Sequence, residues 1–282
     1  MRVVGTIREI WRYPVKGMAG EQVQESLLGD KGLSGDRTWA LRDTARREIQ
    51  SCKFRPELLT CAARARGASG QVDVTFPDGA VLGSDDPAIH PKLSALVGHA
   101  STLEALRPDT ETDFYRRHKL DDHTWLDELK ATFIREPGEP LPDFSKIPPP
   151  LVDFVSIPGT FFLVTPLHLV TTSTLAFLKS KNAAADWDRR RFRPNFVVEA
   201  EPGAEGLVEQ GWVGSRLSIG AAQVDCAGAT PRCGAVTRAQ PAFAADKSVL
   251  RTVVKEADQN VGVYGLVVQG ARVRVGDPVR IG

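Results

Sequence analysis

One of the four cysteines lies in a sequence setting suited to chemistry. Cys233 follows Pro231 and Arg232 and precedes Gly234, so it lies in a predicted loop that follows a strand. Loops present side chains to clefts, and the guanidinium of Arg232 can lower the thiol pKa if it folds toward the sulfur. On composition alone, a small buried hydrophobic role is more common for a free cysteine. We expect a structural role for the other three, Cys52, Cys61 and Cys226.

Two polar clusters have side chains that can bind an anion. Residues 188–196 contain four arginines in five positions, a pattern typical of a solvated basic face. The run leads into an apolar strand, where a period of two places Arg193 and Asn195 on one face, and guanidinium groups suit phosphate oxygens. Thr171 and Thr172 begin a predicted helix, whose free N–H groups also favour anions. Plain N-capping explains at least one of these hydroxyls.

Several standard catalytic motifs are absent from the sequence. It contains no Walker A loop, no GxGxxG, no HExxH and no GxSxG. The cysteines form no CxxC pair, which argues against a zinc ribbon or a redox dithiol. His168 lies within an apolar strand, and we expect a hydrogen-bonded core histidine there in preference to a metal ligand. The remaining histidines are scattered: His90, His99, His118 and His123.

The composition is that of a soluble globular protein. The chain has 282 residues, enough for two average domains, and 42% of them are apolar and 25% charged. The 36 Lys and Arg residues balance the 35 Asp and Glu residues, so no global charge favours nucleic acid or an anionic membrane. The N-terminus has no apolar signal region, and the apolar stretch 161–178 contains Pro166 and His168. We expect a cytoplasmic protein with no nucleic-acid or membrane partner.

The elements that must position these residues are mainly β with inserted helices, an α+β class. Residues 1–115 contain short strands separated by Gly/Asp turns, which predicts a small β-barrel domain. Residues 116–150 form a proline-rich connecting segment, with a helical pattern over 123–133 and six prolines in 137–150. Residues 151–282 lack strict βαβ alternation, so a second β-barrel is favoured over a doubly wound sheet.

Local patterns predict individual elements within these domains. A hairpin is expected around Asp78, and a short helix over 91–98. In the second half, strands are expected over 161–166, 192–200, 216–226 and 261–282, and helices over 171–181 and 248–258.

Six blocks, in this order, resemble the MOSC family, the molybdenum-cofactor sulfurase C-terminal domain. The likeness extends to the β-barrel domain that precedes MOSC in some members, and above all to the mitochondrial amidoxime-reducing component and its bacterial relatives. The blocks are Tyr13–Gly17, Gly35–Trp39, Phe192–Asn195, Pro231–Cys233, Asn260–Tyr264 and Val275–Val279. Gly17 and Pro231 depart from the pattern, since relatives often carry a hydroxyl residue at these positions.

The resemblance implies a molybdenum–molybdopterin cofactor (Moco), in which pterin dithiolene sulfurs and one protein thiolate hold the metal. It implies Cys233 as the metal ligand and catalytic residue, and a soft thiolate suits such a metal. The cofactor-binding residues that it implies are Lys16, Gly17, Arg37, Thr171, Thr172, Arg193, Asn195, Arg232 and Tyr264.

The function implied by the resemblance is a molybdenum-dependent oxidoreductase. It would reduce small N-hydroxylated or N-oxide-type substrates by oxygen-atom transfer. The sequence has no cysteine-rich iron–sulfur domain, so we expect electrons from a separate flavin, haem or iron–sulfur protein. The alternative is a non-catalytic carrier that holds the molybdenum cofactor or a sulfur atom on Cys233.

Overall fold

The computed structural model describes residues 1–67, 69–118, 125–146 and 150–282. Strands dominate this part of the chain, and its helices are short. The strands are β1 (Arg2–Arg12), β2 (Glu21–Val23), β3 (Glu25–Gly29), β4 (Gly32–Leu33), β5 (Trp39–Asp43), β6 (Ala62–Ala65), β7 (Val72–Thr75), β8 (Val81–Gly83), β9 (Ser101–Ala105), β10 (Leu167–Thr171), β11 (Phe196–Ala200), β12 (Arg216–Ile219), β13 (Ala222–Pro231), β14 (Asn260–Gln269), β15 (Ala271–Arg274) and β16 (Pro278–Ile281). The helices are α1 (Ile89–Val97), α2 (Thr112–Tyr115), α3 (Trp125–Ala131), α4 (Pro150–Asp153), α5 (Thr172–Lys181) and α6 (Lys247–Glu256). Each helix in the described ranges is too short or too polar to cross a bilayer.

Seven strands close into a barrel, which confirms the mainly β fold class. The order around the barrel is β1, β11, β10, β14, β13, β12 and β16, and β16 pairs again with β1. Only β10 and β11 run parallel among these pairs. Closure leaves no unpaired sheet edge around the ring. The interior is filled by aliphatic and aromatic side chains from every strand, including Leu169, Phe196, Leu217, Val224 and Val279.

Strand β1 completes this barrel, although the other six strands all come from the second half of the chain. Its alternating sequence buries Ile7 and Ile10 in the barrel core, while Trp11 packs in a second cluster with α5 and α6. A register shift between Ile7 and Glu9 allows two inward residues to stand three positions apart. The predicted N-terminal domain, residues 1–115, therefore contributes one strand to the barrel of the second domain.

Strands β5 to β9 and helix α1 form a smaller β domain with its own core. In contrast, β2 pairs with β1, and β3 and β4 form a sheet with β15 that packs on the barrel core through Leu28 and Leu33. Strands β6, β7 and β8 form one sheet, β5 pairs with β9, and α1 covers an apolar cluster that includes Leu41, Val74 and Leu93. The hairpin expected around Asp78 is present, since β7 and β8 pair antiparallel on either side of it. Within the turn, the Asp78 carboxylate accepts the N–H of Ala80 at 3.0 Å.

The helices expected over 91–98, 171–181 and 248–258 correspond to α1, α5 and α6. The helical pattern over 123–133 corresponds to α3, and its first residues, 123 and 124, lie outside the described residues, as do 147–149 of the proline-rich stretch. The strand expected over 161–166 was wrong. This stretch is irregular, and β10 begins only at Leu167, after Pro166, which has no N–H to donate.

The close contact between β1 and β11 predicts a sharp effect at Gly5. A Cβ atom there would lie 2.2 Å from the Glu199 carbonyl oxygen and 2.8 Å from a Val198 methyl group. Gly5→Ala should therefore lower the free energy of unfolding by about 1–3 kcal/mol, the usual cost of overpacking. Gly29→Ala is the matched control, because no atom lies within 4 Å of the added Cβ. Chemical denaturation measures both, and equal stability of the two variants would contradict the close packing.

Candidate functional site

A cavity of about 380 Å³ lies where the barrel, the smaller β domain and the connecting segment meet. Its wall combines cationic side chains and two thiols with a large set of apolar side chains. Seven of the residues that the sequence singles out lie on this wall: Lys16, Gly17, Arg37, Arg193, Arg232, Cys233 and Tyr264. The tertiary structure therefore brings together residues that are separated by more than 200 positions in the chain.

Lys16, Arg193 and Arg232 are cations of the wall that have no acidic partner within the described ranges. Among the described residues, Lys16, Arg193 and Arg232 form no ion pair, and only 8% of Lys16 and 9% of Arg232 are exposed. Burial lowers the pKa of Lys16 to about 7 and that of Arg232 to about 10. A buried charge is costly unless it is paired. The cavity is therefore suited to an anionic ligand.

Tyr13 positions two of the cavity arginines. The guanidinium carbon of Arg193 lies 4.3 Å from the centre of the Tyr13 ring, and that of Arg37 lies 5.5 Å from it. The Tyr13 hydroxyl donates to the Pro194 carbonyl at 3.0 Å. Cation–π contacts of this kind hold a guanidinium without neutralising it. Tyr13, the first residue of the Tyr13–Gly17 block, is thus a positioning residue, a role that its sequence context did not reveal.

Both of these arginines have left-handed backbone conformations. The φ angle is +50° at Arg37 and +53° at Arg193, which is uncommon for residues other than glycine. Such strained residues persist only where the surroundings hold them, and they cluster at functional sites. Asp36 helps to hold this arrangement, because its carboxylate accepts the Tyr13 N–H at 2.7 Å and pairs with the Arg37 guanidinium.

Cys233 lies in a partly exposed turn directly after β13, as the loop prediction required. The guanidinium of Arg232 does not bond to the sulfur. It donates to the carbonyl oxygens of Val261 at 3.0 Å and Phe192 at 3.1 Å, and it contacts the His168 ring. Burial, followed by the Arg232 charge, holds the pKa of His168 well below its usual value, so this histidine is neutral.

The connecting segment holds the backbone on both sides of Cys233. The N–H of Gly234 donates to the Thr132 carbonyl at 2.9 Å, and Arg135 donates to the Arg232 carbonyl at 3.0 Å. A Cβ atom at Gly234 would lie 2.1 Å from the side chain of Ile134. We call residues 132–135 the clasp. Its contacts explain why glycine follows the cysteine.

Two predicted threonines, Thr171 and Thr172, are not among the residues that line the cavity. Thr171 caps α5 by accepting the Thr174 N–H at 3.2 Å, and it donates to the buried Glu209 carboxyl group at 2.7 Å. Thr172 accepts the N–H of Ala200 at 3.2 Å. Both hydroxyls are thus used within the fold, which corresponds to the capping role that sequence alone favoured for one of them.

Asn195 is also absent from the cavity wall. It is fully buried, where it accepts the His168 N–H at 3.2 Å and donates to the Trp11 carbonyl at 3.3 Å. The expected sharing of a strand face by Arg193 and Asn195 was wrong, because β11 begins only at Phe196. Arg193 reaches the cavity through its left-handed conformation instead.

The arginine run is not a solvated face. Arg191 is 2% exposed and bonds to the Asp186 carboxylate at 2.9 Å, and Arg189 pairs with the buried Glu9 at 2.5 Å. The sequence also gave no reason to single out Cys52, which lines the cavity. Within the described residues, no group of three or more His, Cys, Asp or Glu side chains could hold a metal ion.

Comparison with known families matches two parts of the chain. Residues 4–100 match the MOSC N-terminal beta barrel domain, and residues 160–280 match the MOSC domain. The chain belongs to the MOSC family. The resemblance carried by the six sequence blocks is therefore confirmed.

Solved structures include distant likenesses to this MOSC protein. The YuaD protein from Bacillus subtilis is 11% identical, with a TM-score of 0.45, over 100% of this chain and 97% of that chain. YiiM from Geobacillus stearothermophilus is 14% identical, with a TM-score of 0.31, over 42% of this chain and 54% of that chain. A search of curated proteins found no match.

The two MOSC matches show how the cavity is assembled. Lys16 and Arg37 come from the N-terminal MOSC domain, and Arg193 and Cys233 come from the MOSC domain. The clasp lies between the matched ranges. The wall is therefore shared by both MOSC domains and the segment that joins them.

The buried amine of Lys16 predicts a pH-dependent gain in stability when it is removed. Its pKa falls from the usual 10.5 to about 7 on folding, so the unfolded chain binds more protons between these values and stability rises with pH there. Lys16→Met should raise the free energy of unfolding by about 1–4 kcal/mol at pH 7, and the gain should disappear near pH 10.5.

Lys255→Met is the control for this experiment, because the Lys255 side chain is 83% exposed. Urea denaturation at several pH values measures both variants. A gain for Lys16→Met that is the same at every pH would contradict the depressed lysine pKa.

Proposed function

We propose that this MOSC protein binds a molybdenum–molybdopterin cofactor and reduces N-hydroxylated or N-oxide-type compounds by oxygen-atom transfer, with electrons from a separate flavin, haem or iron–sulfur protein. Membership in a family named for the molybdenum cofactor supports a function associated with that cofactor. The observation that carries the proposal is a single cavity in which uncompensated cations and the partly exposed Cys233 thiol face the same space.

The polar part of the wall fits the phosphorylated pterin. A phosphate dianion would complete the charge balance of Lys16 and Arg193, and charge-assisted hydrogen bonds from guanidinium to phosphate are strong and directional. Thr230 lies on the same wall with 2% exposure, and its hydroxyl has no hydrogen-bond partner among the described residues. Buried polar groups are normally satisfied, so this orphaned hydroxyl also fits a polar ligand.

Cys233 fits the metal end of the cofactor. Its thiolate is a soft ligand, and the cofactor, when bound, supplies the two-electron oxygen-atom chemistry. The protein's own contribution is to hold the sulfur in place, which the clasp does by hydrogen bonds to Arg232 and Gly234 on either side. Tyr264 and the neutral His168 complete the wall near this point.

The apolar part of the wall suits the organic body of a substrate. Phe133 and Phe144 of the connecting segment contact each other edge to face, with 5.5 Å between their ring centres. Leu129, Phe161 and Phe162 extend the same surface. Ligand pockets combine such apolar linings with a few placed polar groups. These side chains would exclude water and hold the substrate by its carbon skeleton.

The first test is metal and pterin analysis of protein made in a molybdenum-replete host. About one molybdenum per chain supports the proposal, and protein free of both metal and pterin would contradict it. Turnover of an amidoxime with a chemical reductant then separates an enzyme from a carrier, because a carrier would hold the cofactor without turnover.

Replacing the thiol predicts a specific loss of activity. Cys233→Ser should keep the fold but abolish reduction of an amidoxime, because the hydroxyl is too weakly acidic to replace a thiolate. Cys226→Ser is the control. Cys226 is buried in the barrel core, so this substitution should lower the stability of the protein more than its activity. Activity is measured per bound molybdenum. Unchanged turnover in Cys233→Ser would exclude the ligand assignment.

We call Lys16, Arg37 and Arg193 of the cavity wall the cationic cradle. Removing one of its cations predicts cofactor-poor protein. Lys16→Ala or Arg193→Ala should weaken cofactor binding about 10- to 100-fold, the effect of losing one hydrogen bond to a charged group. Circular dichroism should stay normal. Arg272→Ala is the control, because the Arg272 side chain is 51% exposed and is not among the residues that line the cavity. Full molybdenum content in a Lys16→Ala, Arg193→Ala double variant would rule out the shared cradle.

A further inference from the structure

A second thiol shares the cavity with Cys233. Cys52 lies in the irregular stretch between β5 and β6, and it is partly exposed on the cavity wall. The other two cysteines differ from it, because Cys61 and Cys226 are buried in the cores of the two domains. Of the three cysteines for which the sequence indicated a structural role, only Cys52 is therefore placed to meet a ligand.

Cys52 occupies the space that a side chain at position 17 would need. A Cβ atom on Gly17 would lie 2.9 Å from the Cys52 backbone nitrogen and 3.4 Å from its Cβ atom, and Gly17 has a φ of +87°. A residue other than glycine is thus disfavoured both by contact and by backbone conformation. Gly17 contributes no side-chain polar atom beside Lys16, and the Cys52 thiol lines the same cavity wall.

The charges around Cys52 belong to the proposed cradle. Burial lowers the pKa values of Lys16 and Arg193, and both side chains line the same wall as Cys52. Burial raises the pKa of the Cys52 thiol itself, while Arg193 acts in the opposite direction. A protonated thiol is a weak hydrogen-bond donor, which is compatible with an anion in a way that a second thiolate is not.

Thr230 gives independent evidence that this wall can bind a ligand with hydrogen-bond acceptor atoms. Its hydroxyl is almost completely buried and has no partner within the described residues. No hydrogen bond engages the Cys52 sulfur within those residues either. Two unpartnered donors on one cationic wall call for a ligand that carries acceptor atoms.

We propose that Cys52 is a second sulfur residue of the cofactor site, and that its S–H group donates to an acceptor atom of the bound anionic pterin beside Lys16. This inference rests on the proposed function. It assigns Cys52 a binding role alongside the metal-ligand role proposed for Cys233.

Differential alkylation of the intact protein tests the assignment. Protein is prepared with the cofactor and, from a host unable to make the cofactor, without it, and each is treated with N-ethylmaleimide before peptide mass spectrometry. We expect Cys52 and Cys233 to react in the cofactor-free protein, and both to react at least about tenfold more slowly in the loaded protein. Cys61 and Cys226 serve as internal controls that should stay unmodified in both.

The outcomes separate this inference from the proposed function. Protection of Cys233 with unchanged reactivity of Cys52 would overturn the inference and leave the function standing. Protection of neither thiol in protein that contains molybdenum would overturn both, as would a protein that takes up no cofactor.

A pair of substitutions provides a readout that does not depend on alkylation. Cys52→Ala removes the donor and should release the pterin about 2- to 10-fold faster during dialysis, the effect expected for one modest hydrogen bond. Cys52→Ser keeps a donor and should release it at the native rate. Pterin fluorescence after oxidation measures the release. Equal rates for Cys52→Ala and the native protein would overturn the proposed hydrogen bond.

Discussion

Lys16, Arg193 and Arg232 face one cavity, and none of them forms an ion pair with a carboxylate among the described residues. In water such charges cost nothing, but in a protein interior an unpaired cation is destabilising. The depressed pKa of Lys16 is the direct sign of this cost. The fold tolerates it by giving each cation neutral contacts: carbonyl oxygens for Lys16 and Arg232, and the Tyr13 ring for Arg193. These contacts position the charges without neutralising them, which leaves their attraction available to an anion.

The barrel provides the rigidity that this arrangement needs. The C-terminal end of β1 pairs with β11 on one side and β2 on the other, so Tyr13 directly follows a strand that is hydrogen-bonded on both sides. Cys233 likewise follows the end of β13, which pairs there with β14. The hydrogen bonds of a sheet fix the backbone positions of the residues at the ends of its strands. The thiol and the cradle are thus held at a defined separation by the barrel itself.

The connecting segment links the architecture to the chemistry. Its clasp bonds to the backbone beside Cys233, and Arg251 of α6 holds the clasp in turn by donating to the Ile134 carbonyl at 2.6 Å. Its aromatic residues supply part of the apolar wall. A stretch whose prolines interrupt regular structure can follow an irregular path between two domains. This freedom lets it contact both the thiol loop and the cavity.

Local sequence patterns predict the mainly β fold class, the hairpin at Asp78, the helices α5 and α6, and the loop that carries Cys233. These features depend on alternation, capping and turn residues, which act between near neighbours in the chain. Long-range packing buries Asn195, places Cys52 on the cavity wall, and brings Arg135 to the Arg232 carbonyl. Such contacts join residues far apart in sequence, so no local period records them. They arise when the closed barrel and the smaller domain pack together and bring distant loops to one place.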